Sequence, residues 1–590
     1  LPGKRDTIKV FQLTQSRMGR LFFLIMKGKW MVAVFLVLAL VMAGCSSGGN
    51  ETANNSDGGT NAADGNNGGE QGTSKAVWFS SIDFWNPPTT WSTDPNTVQG
   101  KMTEKTGLTF EFNIPAQDGD TKLNLMLVSS GEAFPDVITI TNDVLGKKLI
   151  ESGKVWDLDE FLKKYDPDSH LLTDFPADVK ETIIERDGGF YSYPSHMNSE
   201  DARALYPPSG QFYIDLVDYA SNGGIVVNEN VLKEAGLTLE DIKTETGLLA
   251  AYQKIKDMNL TANGAPVIPL LVDGKSYQGP TLGFLQDSFG AMTVDKDGNY
   301  RDRLLAPETK LALEFLYKAS KAGYFDPGQM TVDNASVKAD MASGRVFTFI
   351  GNSANTSFQN NDYWTSSGPI LSDAGTKPVL WKSKRAGGGW MKTFISKSAK
   401  EPEKLAKWLS YMSSKEGMLL HIYGFEGIDY NLDAEGHVVK TEKGIKDATD
   451  YMKTGLSAFW PFHHTSFSYS TQQPPNEETD KQAVTANRVQ SAYGKAEETV
   501  IYDGSPLSLP ADLFPSDSHF ANDELQIKTY KEAQIAKIIL AKSDGEFNKL
   551  YDEMIAQLKK LGIEALDQER NKYVQEKKAE YGIDVKGINS

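Results

Sequence analysis

Pro307-Glu308-Thr309-Lys310-Leu311-Ala312-Leu313-Glu314-Phe315-Leu316-Tyr317-Lys318-Ala319-Ser320-Lys321-Ala322-Gly323, followed by Arg345-Val346-Phe347-Thr348-Phe349-Ile350, sets the architecture of this chain. In the first part Ala312, Phe315, Leu316 and Ala319 recur at helical spacing and share one apolar face. Pro307 suits a helix start, where an N–H would be unpaired anyway, and Gly323 suits the stop. The second part, rich in β-branched and aromatic residues, reads as a strand. Working outward, strands of the same composition are predicted at Ala76–Phe79, Leu108–Ile114 and Asp136–Thr141. Helical stripes recur at Leu405, Trp408, Leu409 and Met412 behind Pro402. Another runs through Phe547, Leu550, Tyr551, Met554, Leu558 and Leu561 to Gly562. Alternating strands and helices over this length predict an α/β architecture with parallel sheets. No repeat of solenoid period is visible.

Two short segments read as hairpin turns, Asp295-Lys296-Asp297-Gly298-Asn299 and Asp433-Ala434-Glu435-Gly436. The first superficially echoes a calcium-binding loop. Arg301 and Arg303 occupy later ligand positions, and Ala306 stands where a bidentate Glu is required, so turn chemistry is the better reading.

The first 44 residues differ in kind from the rest. Met26, Lys27 and Lys29 precede an apolar run from Trp30 to Val41, which ends in Met42-Ala43-Gly44-Cys45. A basic segment, a short apolar segment and small residues make a secretory signal. The run is too short to span a bilayer, which takes ~20 apolar residues. Small residues ending on a Cys resemble the lipobox of bacterial lipoproteins, in which that Cys is acylated and becomes the new N-terminus. Met42 stands where Leu is usual. Residues 1–25 read as leader from an upstream start, so 1–44 is leader and signal peptide. Residues 46–74 contain only Ser, Gly, Asn, Thr, Ala, Asp, Glu and Gln. They cannot bury enough surface to offset ordering entropy. Cys45 and this stretch, 45–74, form a lipidated tether whose ends would lie roughly 30 Å apart as a coil.

Cys45 is the only cysteine, which excludes an intramolecular disulfide and a Cys-based metal site. The leader carries seven Lys or Arg and one Asp, so the remainder carries −23 against −17 for the whole chain. That acidity argues against nucleic acid and against adhesion to anionic lipid. The 546 residues after Gly44 can build a sizeable core and should divide into two or more lobes.

Six segments in order, behind the lipobox, carry a family resemblance. They are Gly131-Glu132-Ala133-Phe134-Pro135-Asp136-Val137, Trp156-Asp157-Leu158-Asp159-Glu160-Phe161-Leu162, Gly188-Gly189-Phe190-Tyr191-Ser192-Tyr193-Pro194 and Asn228-Glu229-Asn230-Val231-Leu232-Lys233-Glu234-Ala235-Gly236-Leu237. Gly387-Gly388-Gly389-Trp390 and Tyr423-Gly424-Phe425-Glu426-Gly427-Ile428-Asp429-Tyr430 follow, and the lipobox stands in front. With these, residues 75 to 585 resemble the extracellular solute-binding proteins of carbohydrate ABC importers, most closely the large LipO-like lipoprotein subgroup. The resemblance implies a two-lobe, periplasmic-binding-protein-like α/β fold with crossing hinge strands and a central ligand cleft. By analogy, lobe 1 takes 75–195 plus 366–412 and lobe 2 takes 196–365 plus 413–590. It further implies a monomer that captures a carbohydrate outside the membrane and delivers it to ABC permease subunits.

The chain departs from the subgroup in two places. Leu260-Thr261-Ala262-Asn263-Gly264-Ala265-Pro266-Val267-Ile268-Pro269 replaces a carboxylate-rich loop that resembles a calcium site. Hard cations need several oxygen ligands, so no calcium is expected there, and no cofactor elsewhere. Val227-Asn228-Glu229-Asn230 replaces the subgroup's Arg-Asp-Trp.

A sugar site needs aromatic platforms for C–H faces and polar forks for hydroxyls. Trp85, Trp91, Trp364, Trp381, Trp390 and Trp460 lie beside loop-forming residues. Trp85, Trp364, Trp390 and Trp460 are taken as candidates, Trp390 because glycines before it let backbone approach closely. Asn142 and Asp143 end a strand whose family counterpart enters the cleft, though both also suit a helix cap. Tyr193, with Tyr191 and His196, lies near the expected hinge. Glu426 could fork a hydroxyl pair or fix its Gly-rich turn. Binding of another solute, a surface sensor, or a two-carboxylate hydrolase are the alternatives. Gly-x-Ser-x-Gly is absent, and His463-His464 lack the spacing of a helical zinc pair.

Overall fold

The apolar strands gather into two mixed sheets in a computed structural model that describes residues 72–129, 134–478 and 480–590. Cys45, the signal segment, the tether up to residue 71, and Gly131–Ala133 lie outside the described residues. In the first sheet the strand order is Leu108–Asn113, Ser74–Ser80, Val137–Ile140, Lys392–Ile395, Tyr193–Pro194. In the second it is Trp364–Thr365, Gly223–Asn228, Val346–Asn352, Ile268–Val272.

The expectation of parallel sheets holds only in part. Ser74–Ser80 pairs in parallel with both of its neighbours, but Lys392–Ile395 runs antiparallel to Val137–Ile140 and to Tyr193–Pro194. In the second sheet only Ile268–Val272 and Val346–Asn352 are parallel. The physical reason is connectivity. Lys392–Ile395 is not delivered by a helical crossover from its neighbour; the chain returns to it from the second sheet and enters from the opposite end. Its register is pinned inside the core, where the Thr139 and Thr393 hydroxyls lie 2.9 Å apart and Trp78 Nε1 donates to Thr139 Oγ1 at 2.9 Å.

Helices form where their stripes predicted. Pro307–Lys321 buries Ala312, Phe315, Leu316 and Ala319. Pro402–Ser413 buries Leu405, Trp408, Leu409 and Met412, and Asp544–Lys560 buries Phe547, Tyr551, Met554 and Leu558. Both predicted turns are hairpins of one construction. Asp295 Oδ1 accepts from the N–H of Asp297 and Asn299, Asp433 Oδ1 accepts from Glu435 and His437, and the glycine in each has positive φ. No helix among the described residues is long and apolar enough to cross a membrane.

Two large cores follow the two sheets. Around the first, Trp78 stands edge-on to Trp85 at 5.2 Å and Trp408 at 5.1 Å, with Phe110 and Phe462 closing the cluster. Each buried ring of this size stabilises by roughly 1.5–3 kcal/mol. Around the second, Ile225, Leu270 and Ile350 pack with Ala312 and Phe315 and with the C-terminal helices through Ile538, Met554 and Leu566. Packing departs from the sequence-drawn boundaries at two places. Ile370 and Leu380 belong to the second core, and Val379–Lys382 pairs with Val500–Asp503. Conversely Leu420, Leu456, Phe459 and Phe462 belong to the first core. The chain therefore passes from one sheet to the other through 195–222, 383–391 and 463–492.

Candidate functional site

The carboxyl ends of the parallel strands Ser74–Ser80 and Val137–Ile140 point the same way, and α/β sheets place ligands at such an edge. Asn142 caps the helix Asp143–Glu151, with Oδ1 accepting from Leu145 N at 3.1 Å, while its amide donates to Asp120 Oδ2 at 2.8 Å. Asp143 opens that helix and pairs with the buried Lys392 ammonium at 2.7 Å. Lys392 also donates to Thr141 O at 3.0 Å, so one cation ties the strand end to the helix start. Arg186 lies alongside, pairing with Asp187 and reaching Gly388 O at 3.4 Å.

Gly388 and Gly389 bring the loop before Trp390 against this group. Gly389 has φ +83°, and a Cβ there would meet Pro194 Cβ at 2.4 Å. Only glycine allows that conformation and that approach. Trp390 is consequently held outward, 44% exposed, and lies nearly parallel to Phe84, itself 56% exposed, at 6.1 Å and 18°. His196 stands edge-on to Trp390 at 5.4 Å.

Facing Asp143 and Arg186 is a cavity of about 470 Å³, closed by the loop Ser505–Asp512 and by Tyr573, Lys577 and Tyr581 of the last helix. Its charges are mutually engaged: Lys147 pairs with Asp512, and Glu185 accepts from Arg385 at 2.9 Å and from Lys577. The Arg385 guanidinium also covers the Tyr581 ring at 4.0 Å. Elements packed on the first sheet thus grip elements packed on the second directly.

A second cavity, about 330 Å³, lies on the other side of His196 and is lined by His196, His421, Tyr423, Lys440, Trp460 and His463, among others. The His196 and His463 rings are 4.7 Å apart. Burial lowers the pKa of His196, His421 and His464 to about 4, and burial with the neighbouring histidines drives His463 well below its usual value. His196 keeps part of its ring open to solvent, but the surrounding protein still disfavours its cation. All four are neutral at pH 7. Burial also lowers Lys440. His196 has φ +59° and is fixed by His463 O, which accepts its N–H at 2.6 Å, and by Ser195 Oγ at 2.8 Å from its Nδ1.

The structure sorts the sequence candidates. Asn142 and Asp143 lie at the sheet edge; Trp390 stands on the loop whose Gly388 O meets Arg186, and its ring contacts Phe84 and His196. Trp460 lines the second cavity, its Nε1 donating to Ser457 O. Trp85, Trp364 and Tyr193 are buried and present no ring face to a ligand. Trp85 Nε1 donates to Ala458 O at 2.8 Å, and Tyr193 stacks on Phe462 at 5.0 Å. Glu426 is exposed at the turn, but the turn is fixed by Asp429, whose Oδ2 accepts from Phe425 N at 2.9 Å. Sequence reasoning missed Phe84, Arg186, Lys392 and Lys440. Phe84 directly precedes Trp85; of the two adjacent rings it is Phe84 that is exposed. Nothing local marked the three cations. Among the described residues no group of His, Asp or Glu is arranged to hold a metal.

No curated protein sequence matches the chain. The profile of the bacterial extracellular solute-binding protein family matches residues 89–419. Among solved structures, a Streptococcus pneumoniae ABC-transporter substrate-binding protein, FusA, in complex with fructo-nystose is 17% identical. It has a TM-score of 0.60 and covers 86% of this chain and 100% of its own. An ABC-transporter-associated solute-binding protein from Bifidobacterium longum infantis, described as HMO-binding, is 16% identical with TM-score 0.58, over 86% and 99%. The N-glycan transport solute-binding protein of Streptococcus pneumoniae is 17% identical with TM-score 0.51, over 86% and 99%. These likenesses establish a periplasmic-binding-protein-like fold. With the family profile covering more than half its length, the chain belongs to the bacterial extracellular solute-binding proteins.

Proposed function

We propose that this protein captures an oligosaccharide between two lobes and hands it to an ABC permease, while a lipid on Cys45 keeps it at the outer face of the cell membrane. The observation that carries the sugar assignment is the exposed, nearly parallel pair Phe84 and Trp390, the latter on a loop that Gly388 O joins to Arg186 of the polar fork Arg186 and Asp143. Apolar ring faces meet the C–H face of a sugar and the fork meets its hydroxyls. The neighbours named above are described as binding fructo-nystose, HMO and N-glycan, so the shared fold leaves the particular sugar open. In this reading lobe 1 comprises 74–194 with 391–462, lobe 2 comprises 223–382 with 493–590, and the crossings form the hinge. A ligand touching both lobes favours closure because only the closed state satisfies all its contacts. The protein acts as a monomer and binds without transforming.

A thermal-shift screen of the mature protein against oligosaccharide, peptide and siderophore panels tests the assignment, because a ligand of the native state raises the melting temperature by mass action. An upward shift with oligosaccharides is expected. A shift with peptides alone would refute the sugar assignment, and turnover of the stabilising sugar would replace binding by catalysis.

A further inference from the structure

We propose that the cavity between His196 and Trp460 is a subsite for an acidic sugar, so that the preferred oligosaccharide carries a carboxylate or another compact anion on one residue. The inference rests on the oligosaccharide reading above and narrows it. Three observations carry it.

First, the cavity adjoins the aromatic platform. His196 forms a wall of both, edge-on to Trp390 on one side and 4.7 Å from His463 on the other. A chain of sugar rings crossing Trp390 therefore meets this cavity next, and about 330 Å³ lies in the ~300–1,000 Å³ range of small-molecule sites.

Second, the polar lining consists of donors without carboxylates. Lys440, His196, His421, His463, Tyr423, Ser457, Ser468 and Gln472 supply its functional groups. The first cavity differs, since its four cations face four carboxylates that are engaged in ion pairs.

Third, Lys440 is uncommitted. Among the described residues its ammonium has no hydrogen bond or ion pair within 4 Å, and its one recorded contact is the Tyr423 ring at 5.7 Å. Asp480 acts on it only from beyond ion-pair distance. Lys440 lines the open cavity, where water reaches it while the surrounding protein still disfavours its charge. An anion arriving there would restore what burial removes, while the Trp460 ring supplies an apolar face beside it. The acidity of the whole chain does not oppose this, because charges beyond ~8 Å are largely screened at physiological salt.

The test is isothermal titration with matched pairs: uronate-, sialate- and sulfate-bearing oligosaccharides, each beside its neutral ester or desulfated form. At least one acidic member should bind about tenfold tighter than its neutral counterpart. That preference should shrink between 20 mM and 500 mM NaCl, collapse in Lys440→Met and persist in Lys440→Arg. Equal or tighter binding of every neutral partner overturns the inference and leaves the oligosaccharide reading intact. A preference that Lys440→Met and salt both leave unchanged also overturns it. Binding of no saccharide at all removes both. Lys440→Met is read only if its ligand-free melting temperature matches the parent's; otherwise the salt series on the parent protein decides.

Discussion

Replacing Glu185 by Gln should open the protein. Glu185 sits near the end of the helix Ala177–Asp187 on the first sheet and accepts from Lys577 and the Tyr581 hydroxyl (3.3 Å) of the last helix, which packs with the second core, and from Arg385 of the crossing 383–391 at 2.9 Å. Gln keeps the shape and loses the charge. Lys577 is 13% exposed, but the Glu185 and Arg385 side chains are 38% and 36% exposed, so water screens part of the attraction. With that discount the network contributes about 1–2 kcal/mol to the closed arrangement, or about tenfold in the closed-to-open ratio. Lys577 retains Glu580 as a partner in the variant, which limits the loss to the contact between lobes. The assay is single-molecule distance measurement between labels on the two lobes of the ligand-free protein, at low and at 0.5 M salt. Glu185→Gln at low salt should resemble the parent at high salt, with a longer mean distance and weaker ligand binding. The hydrogen bond from the Lys577 ammonium, with the charge of Arg385, holds Glu185 below the usual range, so this clasp is fully present above pH ~4.5 and is lost only as pH falls through its lowered pKa. Identical distance distributions for parent and variant, with no response to salt, would refute the reasoning.

Three further outcomes follow from burial and exposure. Trp390→Ala should weaken oligosaccharide binding about tenfold and leave the ligand-free melting temperature nearly unchanged, since exposed substitutions shift stability by about 0.5 kcal/mol or less; a large drop in melting with normal binding would make Trp390 a core residue. Trp85→Ala should do the reverse, costing about 3–5 kcal/mol because the ring is fully buried against Trp78 and its Nε1 bond to Ala458 is lost. Calorimetry separates it from Trp390→Ala. His421 has a folded pKa of about 4 against 6.5 in the free side chain, so between those values only the unfolded chain binds the proton. Stability is unaffected above pH ~6.5 and falls as pH drops below it, by about 2 kcal/mol from His421 at pH 5. His421→Gln should lose correspondingly less between pH 7 and pH 5 in denaturant titrations, and an unchanged loss would show that another group titrates.

Local order was legible because it is local. The stripe from Ala312 to Ala319, the Pro307 start and the two Asp-led hairpins each depend on residues within a few places of one another, and they form as read. The family assignment was legible for a similar reason, since its markers are short segments in a given order. Exposure was not. Phe84 and Trp85 are adjacent, yet one faces solvent and the other is sealed by contacts such as Ala458, 373 residues along the chain. Trp364 and Trp390 both follow turn-forming residues, yet Trp364 is fully buried, while Trp390, behind a glycine packed on Pro194, is exposed. Sheet direction and core membership depended likewise on where the chain re-enters, which no periodicity encodes. The sequence by itself determined the elements, the lone cysteine with its signal-like context, and the family. The tertiary structure decided which aromatic rings can meet a ligand and which cations stand uncommitted, because burial and pairing are set by neighbours hundreds of residues apart.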